Sequence, residues 1–386
     1  MKKGIVLLLL VLLVGVYVTL PALLEPKFNR VIDHPPYKIS DQAAQLHQKL
    51  TIMDWHADTL LWERDLNQSV ARGHVDLARL QQGNVAIQMF TTVTKSPSGQ
   101  NYQKNDGNSD RITLLAVAQG WPVSTWGSLL QRALYQAQKL DDAVQQSNGQ
   151  LRWIKNQKDL NALLEARGEQ GDKPPIGVML GSEGGHPLEG NISNLDLMYH
   201  HGFRMMGLQH FFDNQLGGSL HGISQQGLTA FGRQVVKHLN ELSMIIDVAH
   251  SSAQVVEDVL AISSRPIVVS HTGLYGVCQT PRNLSDGLMQ KIAQKGGLIA
   301  LGYWDAAVCD ISPQGIAKMI QYGINLVGED HIALGSDFDG AVETQLDTSE
   351  LAAITQHLVD LGVKETQIQK VMGKNSVNFL QNNLPE

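Results

Sequence analysis

Short apolar runs that stop on polar, reactive side chains recur along this chain, at residues 51–53, 85–90, 176–180, 203–208, 244–248, 267–269, 298–301 and 332–334. Each is short and rich in β-branched or other apolar residues, as in a strand buried on both faces. Between them, residues 158–166, 228–242, 253–262, 286–293 and 313–322 carry the length and apolar spacing of helices. Thr229, Ser252 and Ser285 stand where N-caps belong. Strands alternating with helices predict a parallel sheet. Eight such units predict an α/β chain folded as a (β/α)8 TIM-like barrel, whose active site lies at the C-terminal ends of the strands.

The residues at those ends are the informative ones. The first run leads into His56 and Asp58, which would point to one side of a strand because they are two residues apart. The later runs lead to Thr91 and Thr92, to Glu183, to Gln209 and His210, to His250, to His271, to Tyr303 and to Asp337.

Two regions break the alternation. Residues 1–24 hold Lys2 and Lys3, then an uncharged apolar run from 4 to 24 broken by Pro21. That run has about the 20 residues a bilayer span requires, and the lysines favour a cytoplasmic N-terminus. The segment is expected to be an uncleaved signal anchor, an N-terminal hydrophobic helix holding the rest of the chain on the periplasmic or extracellular side of the membrane. Export after signal cleavage is the alternative. Residues 25–50 read as a lead-in and 51–386 as the catalytic domain. Residues 95–150 form an insertion, polar at first and helix-like around 112–144, expected over or beside the barrel mouth.

Composition narrows the function. A net charge of −7 and 17% charged residues give no electrostatic footprint for nucleic acid. The two cysteines, Cys278 and Cys309, suit an oxidising compartment, where one disulfide would form, but counting alone does not separate that from two buried thiols. Neither has C-x-x-C spacing.

Five strand-end residues form a metal-ligand set: His56, Asp58, Glu183, His250 and His271. Three imidazoles and two carboxylates suit zinc. They exceed what one tetrahedral catalytic ion takes with a position left open. Two ions accommodate them, with His56 and Asp58 on one, His250 and His271 on the other, and Glu183 bridging.

With these residues in view, the chain resembles the membrane (renal) dipeptidases, zinc peptidases with a barrel fold. The resemblance runs from about residue 50 to 380 and rests on DWHADTL (54–60), GSEGGHPLEG (181–190), GLTAFGRQVVKHLNELSMIIDVAHSS (227–252), SHTGLYGVCQTPRNLSD (270–286) and GSDFDG (335–340). It implies a dipeptidase with two zinc ions per subunit on the ligands named, acting by metal-activated hydroxide. It implies that His210 contacts the substrate carbonyl and its tetrahedral intermediate, that Arg282 pairs with the dipeptide carboxylate, and that Asp337 shuttles a proton to the leaving amine. It also implies a Cys278–Cys309 disulfide. The family is often dimeric, though no feature here proves a homodimer. The stretch after His210, FFDNQLGGSLHG, departs from the mammalian pattern, which leaves dipeptide preference open. His186 and His221 are expected to be structural rather than ligands, and Tyr303 or Trp304 to line the pocket. Two other readings stay in play: another barrel amidohydrolase, or a membrane-tethered binding protein without catalysis.

Overall fold

The structure, a computed structural model, describes residues 19–168 and 174–386. Eight parallel strands close into a barrel: β1 (Ile52–Ala57), β2 (Val85–Val93), β3 (Ile176–Glu183), β4 (Phe203–Gly207), β5 (Ile245–Asp247), β6 (Val268–Thr272), β7 (Leu298–Leu301) and β8 (Ile332–Leu334). Closure is direct, because β8 pairs with β1 through Leu334 and Asp54, while β2 pairs with β3 from Ile87–Gly177 to Val93–Glu183. A short strand, Leu151–Trp153, lies beside the first half of β3. Sequence reading missed it because three residues carry too little pattern to stand out.

Each of the eight barrel strands is buried on both faces, so the two faces divide the work. On β1, Asp54 and His56 face the barrel interior, where Asp54 accepts hydrogen bonds from Gln88 and Ser336. Trp55 faces the outer layer, packing edge-on against Phe379 of the C-terminal helix Asn375–Asn383 and donating to Ser376 Oγ. Helices Ala230–Glu241, Ala253–Ile262, Asp286–Gln294 and Pro313–Val327 cover the outside. The first three are capped by the Thr229, Ser252 and Ser285 side chains, each accepting from a backbone N–H three residues on.

The 95–150 segment carries helices Arg111–Ala118, Ser124–Gly127 and Leu129–Gln146. Arg132, 1% exposed, fastens it by donating to the carbonyls of Thr94, Thr125 and Trp126 and to Asp110. Most of the expected N-terminal anchor, residues 1–18, lies outside the described residues. Residues 19–24 are helical. Among the described residues no helix is long and apolar enough to cross a membrane.

Candidate active site

The eight residues named from sequence for metal, catalysis and substrate, His56, Asp58, Glu183, His210, His250, His271, Arg282 and Asp337, are all buried and gather at the C-terminal mouth of the barrel. The local routes differ. Glu183 closes β3, and His271 lies within β6. Asp58 sits just past β1, at the start of a 3-10 turn, with φ −93° and ψ 28°. Its approach to His56 therefore comes from a turn rather than from the strand repeat that the spacing suggested. His250 and Asp337 lie three residues beyond β5 and β8, both in the left-handed region with φ near 62°. That conformation is uncommon for residues with a Cβ and tends to mark functional turns. Gly335 lets the β8 turn close, since a Cβ there would meet the Ser270 carbonyl oxygen at 1.9 Å.

Around His56, Nε2 lies 3.5 Å from Asp58, 3.6 Å from Glu183 and 3.9 Å from Asp337, yet this buried nitrogen makes no hydrogen bond. On the other side, His250 Nε2 and His271 Nε2 lie 3.2 and 3.4 Å from the same Glu183 oxygen. Three interlocking groups, His56–His271–Asp337, Glu183–His250–His271 and His56–Asp58–Glu183, each bring one ligand atom per residue to within 4.8 Å of the others.

The surroundings orient these atoms. Ser270 Oγ donates to Asp247 at 2.6 Å and receives His271 Nδ1 at 2.9 Å and His56 Nδ1 at 3.2 Å. Both Nε2 lone pairs therefore turn to the centre, as ligating imidazoles require. Thr91 donates to Asp58 at 2.6 Å. Neither Ser270 nor Asp247 was named from sequence, although Ser270 directly precedes His271 in the quoted motif.

Electrostatics agree with a cation-binding centre. Burial, then the Asp58 charge, pushes Glu183 well above the usual carboxylate range. Burial with Asp58 and Asp54 raises Asp337 to about 8, against the pull of His56 and Arg282. Burial alone would depress His56, but Asp58, Glu183 and Asp337 lift it to about 10. Burial, followed by nearby positive groups including Arg282, drives His250 and His271 well down. Two imidazoles held neutral, a third drawn toward its protonated form by three carboxylates, and those crowded carboxylates make a donor set in which a divalent cation would take the place of protons. The residues present fit such ions.

The rest of the site surrounds that centre. Arg282, 1% exposed, donates to the His271 carbonyl at 2.7 Å and lies over the Trp304 ring at 5.2 Å. His210 sets Nε2 3.2 Å from Glu183 and Nδ1 3.3 Å from the Lys95 carbonyl, and burial first among other causes lowers it to about 4. Of the two neighbouring aromatics, Trp304 lines the cavity and donates to the Tyr102 hydroxyl. Tyr303 does not line it and packs against Phe338 beneath. His221 is held by the Tyr102 carbonyl and stacked on Phe211, and His186 is packed against Phe212. The Cys278–Cys309 disulfide joins the segment before Arg282 to the one after Trp304. Asn283 reinforces the join by donating to the Cys278 and Ala307 carbonyls.

A parallel barrel with a buried imidazole and carboxylate centre at its mouth offers a site able to hold divalent ions. The family model for membrane dipeptidases, peptidase family M19, matches residues 40–383, and the chain belongs to that family. Its relatives include the dipeptidase tcpJ of Claviceps purpurea (strain 20.1), 25% identical over 325 residues covering 80% of this chain and 69% of that protein. The dipeptidase aclJ of Aspergillus oryzae (strain ATCC 42149 / RIB 40) is 30% identical over 221 residues, covering 53% of this chain and 51% of that one. The chain thus spans between half and about two thirds of the length of these relatives. In fold it is similar to the probable dipeptidase PvdM from Pseudomonas aeruginosa, with TM-score 0.73, 20% identity, and 89% of this chain and 97% of that one covered. A metallo peptidase from Rhodobacter sphaeroides, liganded with a phosphinate mimic of the dipeptide L-Ala-D-Ala, superposes with TM-score 0.66 at 20% identity, covering 86% and 99% of the two chains.

Proposed function

We propose that this chain is a dipeptidase working with two zinc ions. The observation that carries the reading is the convergence of Glu183 with His56, Asp58, His250 and His271, beside a cavity that Asp58, Glu183, His250 and the buried Arg282 line. His56 and Asp58 would hold one ion and His250 and His271 the other, with Glu183 between them. When bound, such ions supply Lewis-acid polarisation of the scissile carbonyl and make a coordinated water acidic near neutral pH.

The chain's own residues would do the rest. The Arg282 guanidinium offers a two-pronged grip on the free carboxylate of a dipeptide, and the face of Trp304 keeps it in plane. That grip requires a carboxylate close to the scissile bond, which selects very short peptides. His210 is placed to meet the substrate carbonyl. Asp337, as the carboxylate, is suited to take a proton from the water, and the burial that raises it favours keeping that proton until it passes to the departing nitrogen. The apolar run at 4–24 supports membrane attachment with the barrel outside the cytoplasm, and a disulfide suits that compartment.

The test is metal analysis of the purified full chain together with a broad dipeptide panel. Two zinc ions per chain with hydrolysis of dipeptides is the expected result. Fully zinc-loaded protein that cleaves no dipeptide overturns the reading.

A further inference from the structure

The cavity above the catalytic cluster continues outward into a chamber of different character. Floor and chamber together have a cavity volume of about 470 Å³, within the range of small-molecule pockets. The floor carries the charged groups already described. The outer wall is mostly apolar and comes largely from outside the barrel: Leu24, Phe28 of the lead-in, and Ile112 and Leu115 of the insertion helix, with Ser96, Gln100 and Arg111 also lining it. Trp62 and Val93 complete it at the ends of the first two strand regions. Phe28 packs against Trp62 with ring centroids 5.7 Å apart.

This wall is held in place. Glu25, 1% exposed, pairs with Arg64 at 2.6 Å and Arg72 at 2.8 Å. Arg64 also pairs with Asp339, which receives Thr59 and the His74 backbone N–H and lies two residues beyond Asp337. The lead-in is thus tied through one buried arginine to the turn that carries Asp337. A chamber fixed in advance loses little ordering entropy when it is filled.

On the dipeptidase reading, both ends of the substrate backbone belong to the charged floor, which leaves the chamber to a side chain. A small side chain would leave the apolar part of the wall exposed to water, and a charged one would lose hydration against it. We propose that the chamber is a side-chain subsite for large apolar residues, so that preferred substrates are dipeptides bearing a residue of leucine or phenylalanine size. The proposal rests on the dipeptidase reading, and its test separates the two.

The experiment measures kcat/KM of the zinc-loaded full chain on two series, X-Ala and Ala-X, with X as Gly, Ala, Leu, Phe, Asp or Lys. In one series Leu and Phe are expected to exceed Gly and Asp by roughly 10- to 200-fold, the range an apolar pocket supplies. Phe28→Ala, at a position 36% exposed and so tolerant of truncation, should reduce the Phe-to-Gly ratio about tenfold, and Phe28→Leu should restore most of it. Leu115→Gln should act in the same direction. Equal rates across both series, a preference for charged X, or an unchanged ratio in Phe28→Ala and Leu115→Gln would overturn the subsite while leaving dipeptide hydrolysis standing. Absence of hydrolysis on every member would remove the dipeptidase reading and the subsite together.

Discussion

His250 Nε2 lies 2.8 Å from His271 Nε2, and both approach the same Glu183 oxygen. The proton on His271 belongs at Nδ1, which faces Ser270 Oγ. Two ring nitrogens and a carboxylate oxygen then share at most one proton among them, and a divalent cation resolves that crowding better than a proton does.

Ser270 is where the orientation of this cluster can be tested. One hydroxyl faces Nδ1 of both His56 and His271 and is anchored by Asp247. Ser270→Ala should lower zinc affinity roughly 10- to 100-fold, read by competition with a chromophoric chelator. Unchanged affinity would show that the two imidazoles are aimed by packing alone. Replacing a ligand goes further: Glu183→Ala or His250→Ala should lose bound metal and activity together, by elemental analysis and turnover.

Stripped of metal, the protein should lose stability as pH rises. The Asp337 carboxyl moves from 3.8 to about 8 on folding, so its contribution is complete below pH 4 and lost on rising through 8. His56 moves from 6.5 to about 10, so its contribution is complete below 6.5 and lost on rising through 10. Both changes have the same sign. Thermal melts in excess chelator should therefore show Tm falling between about pH 7.5 and 9, above the range in which the depressed His210, His250 and His271 make their opposite contribution. Added zinc, which displaces these protons, should raise Tm by an amount that grows with pH. A chelated protein whose Tm rises over that interval would contradict the assignment.

Arg282→Lys keeps the charge and removes the paired donors. Hydrogen bonds to charged groups contribute about 1.5–3 kcal/mol each, so losing one should cost about 10- to 100-fold in kcat/KM on dipeptides. Substrates amidated at the C-terminus should be poor for the wild type and nearly indifferent to the change. Equal sensitivity of both substrate types would remove Arg282 from carboxylate recognition.

Joint replacement of Cys278 and Cys309 by serine frees the Arg282 segment from the Trp304 segment. A stability loss of about 2–4 kcal/mol is expected by chemical denaturation, with KM rising more than kcat falls. Asn283→Ala should produce the same kinetic pattern more weakly, because its side chain spans the same join.

The barrel was legible because each strand is buried on both faces and leaves an apolar run, and the three hydroxyl caps mark where helices begin. Glu183 and His271 could be placed because they belong to strands. His250 and Asp337 were placed from the apolar runs that lead to them, and only the role of Asp337 came from the family resemblance. Their left-handed turns lie beyond the strand ends and leave no repeat to read. Ser270 and Asp247 escaped notice because a serine and an aspartate in a buried run look like ordinary strand residues until the fold brings them under two histidines. Glu25, Arg64 and Asp339 stand far apart in sequence, and no local pattern announces that they meet. Tyr303 and Trp304 are adjacent, and only the course of the backbone after β7 decides which of the two rings reaches the cavity.

The Arg64 clamp has a mechanical side. Tension entering at the lead-in would be borne first by Glu25 and then by Arg64, whose other contact is the turn holding Asp337. Strain at the upstream end of the domain is thereby delivered to the reacting groups ahead of the distant barrel staves. A pull applied upstream of Glu25 would reach the turn of Asp337 through these two ion pairs.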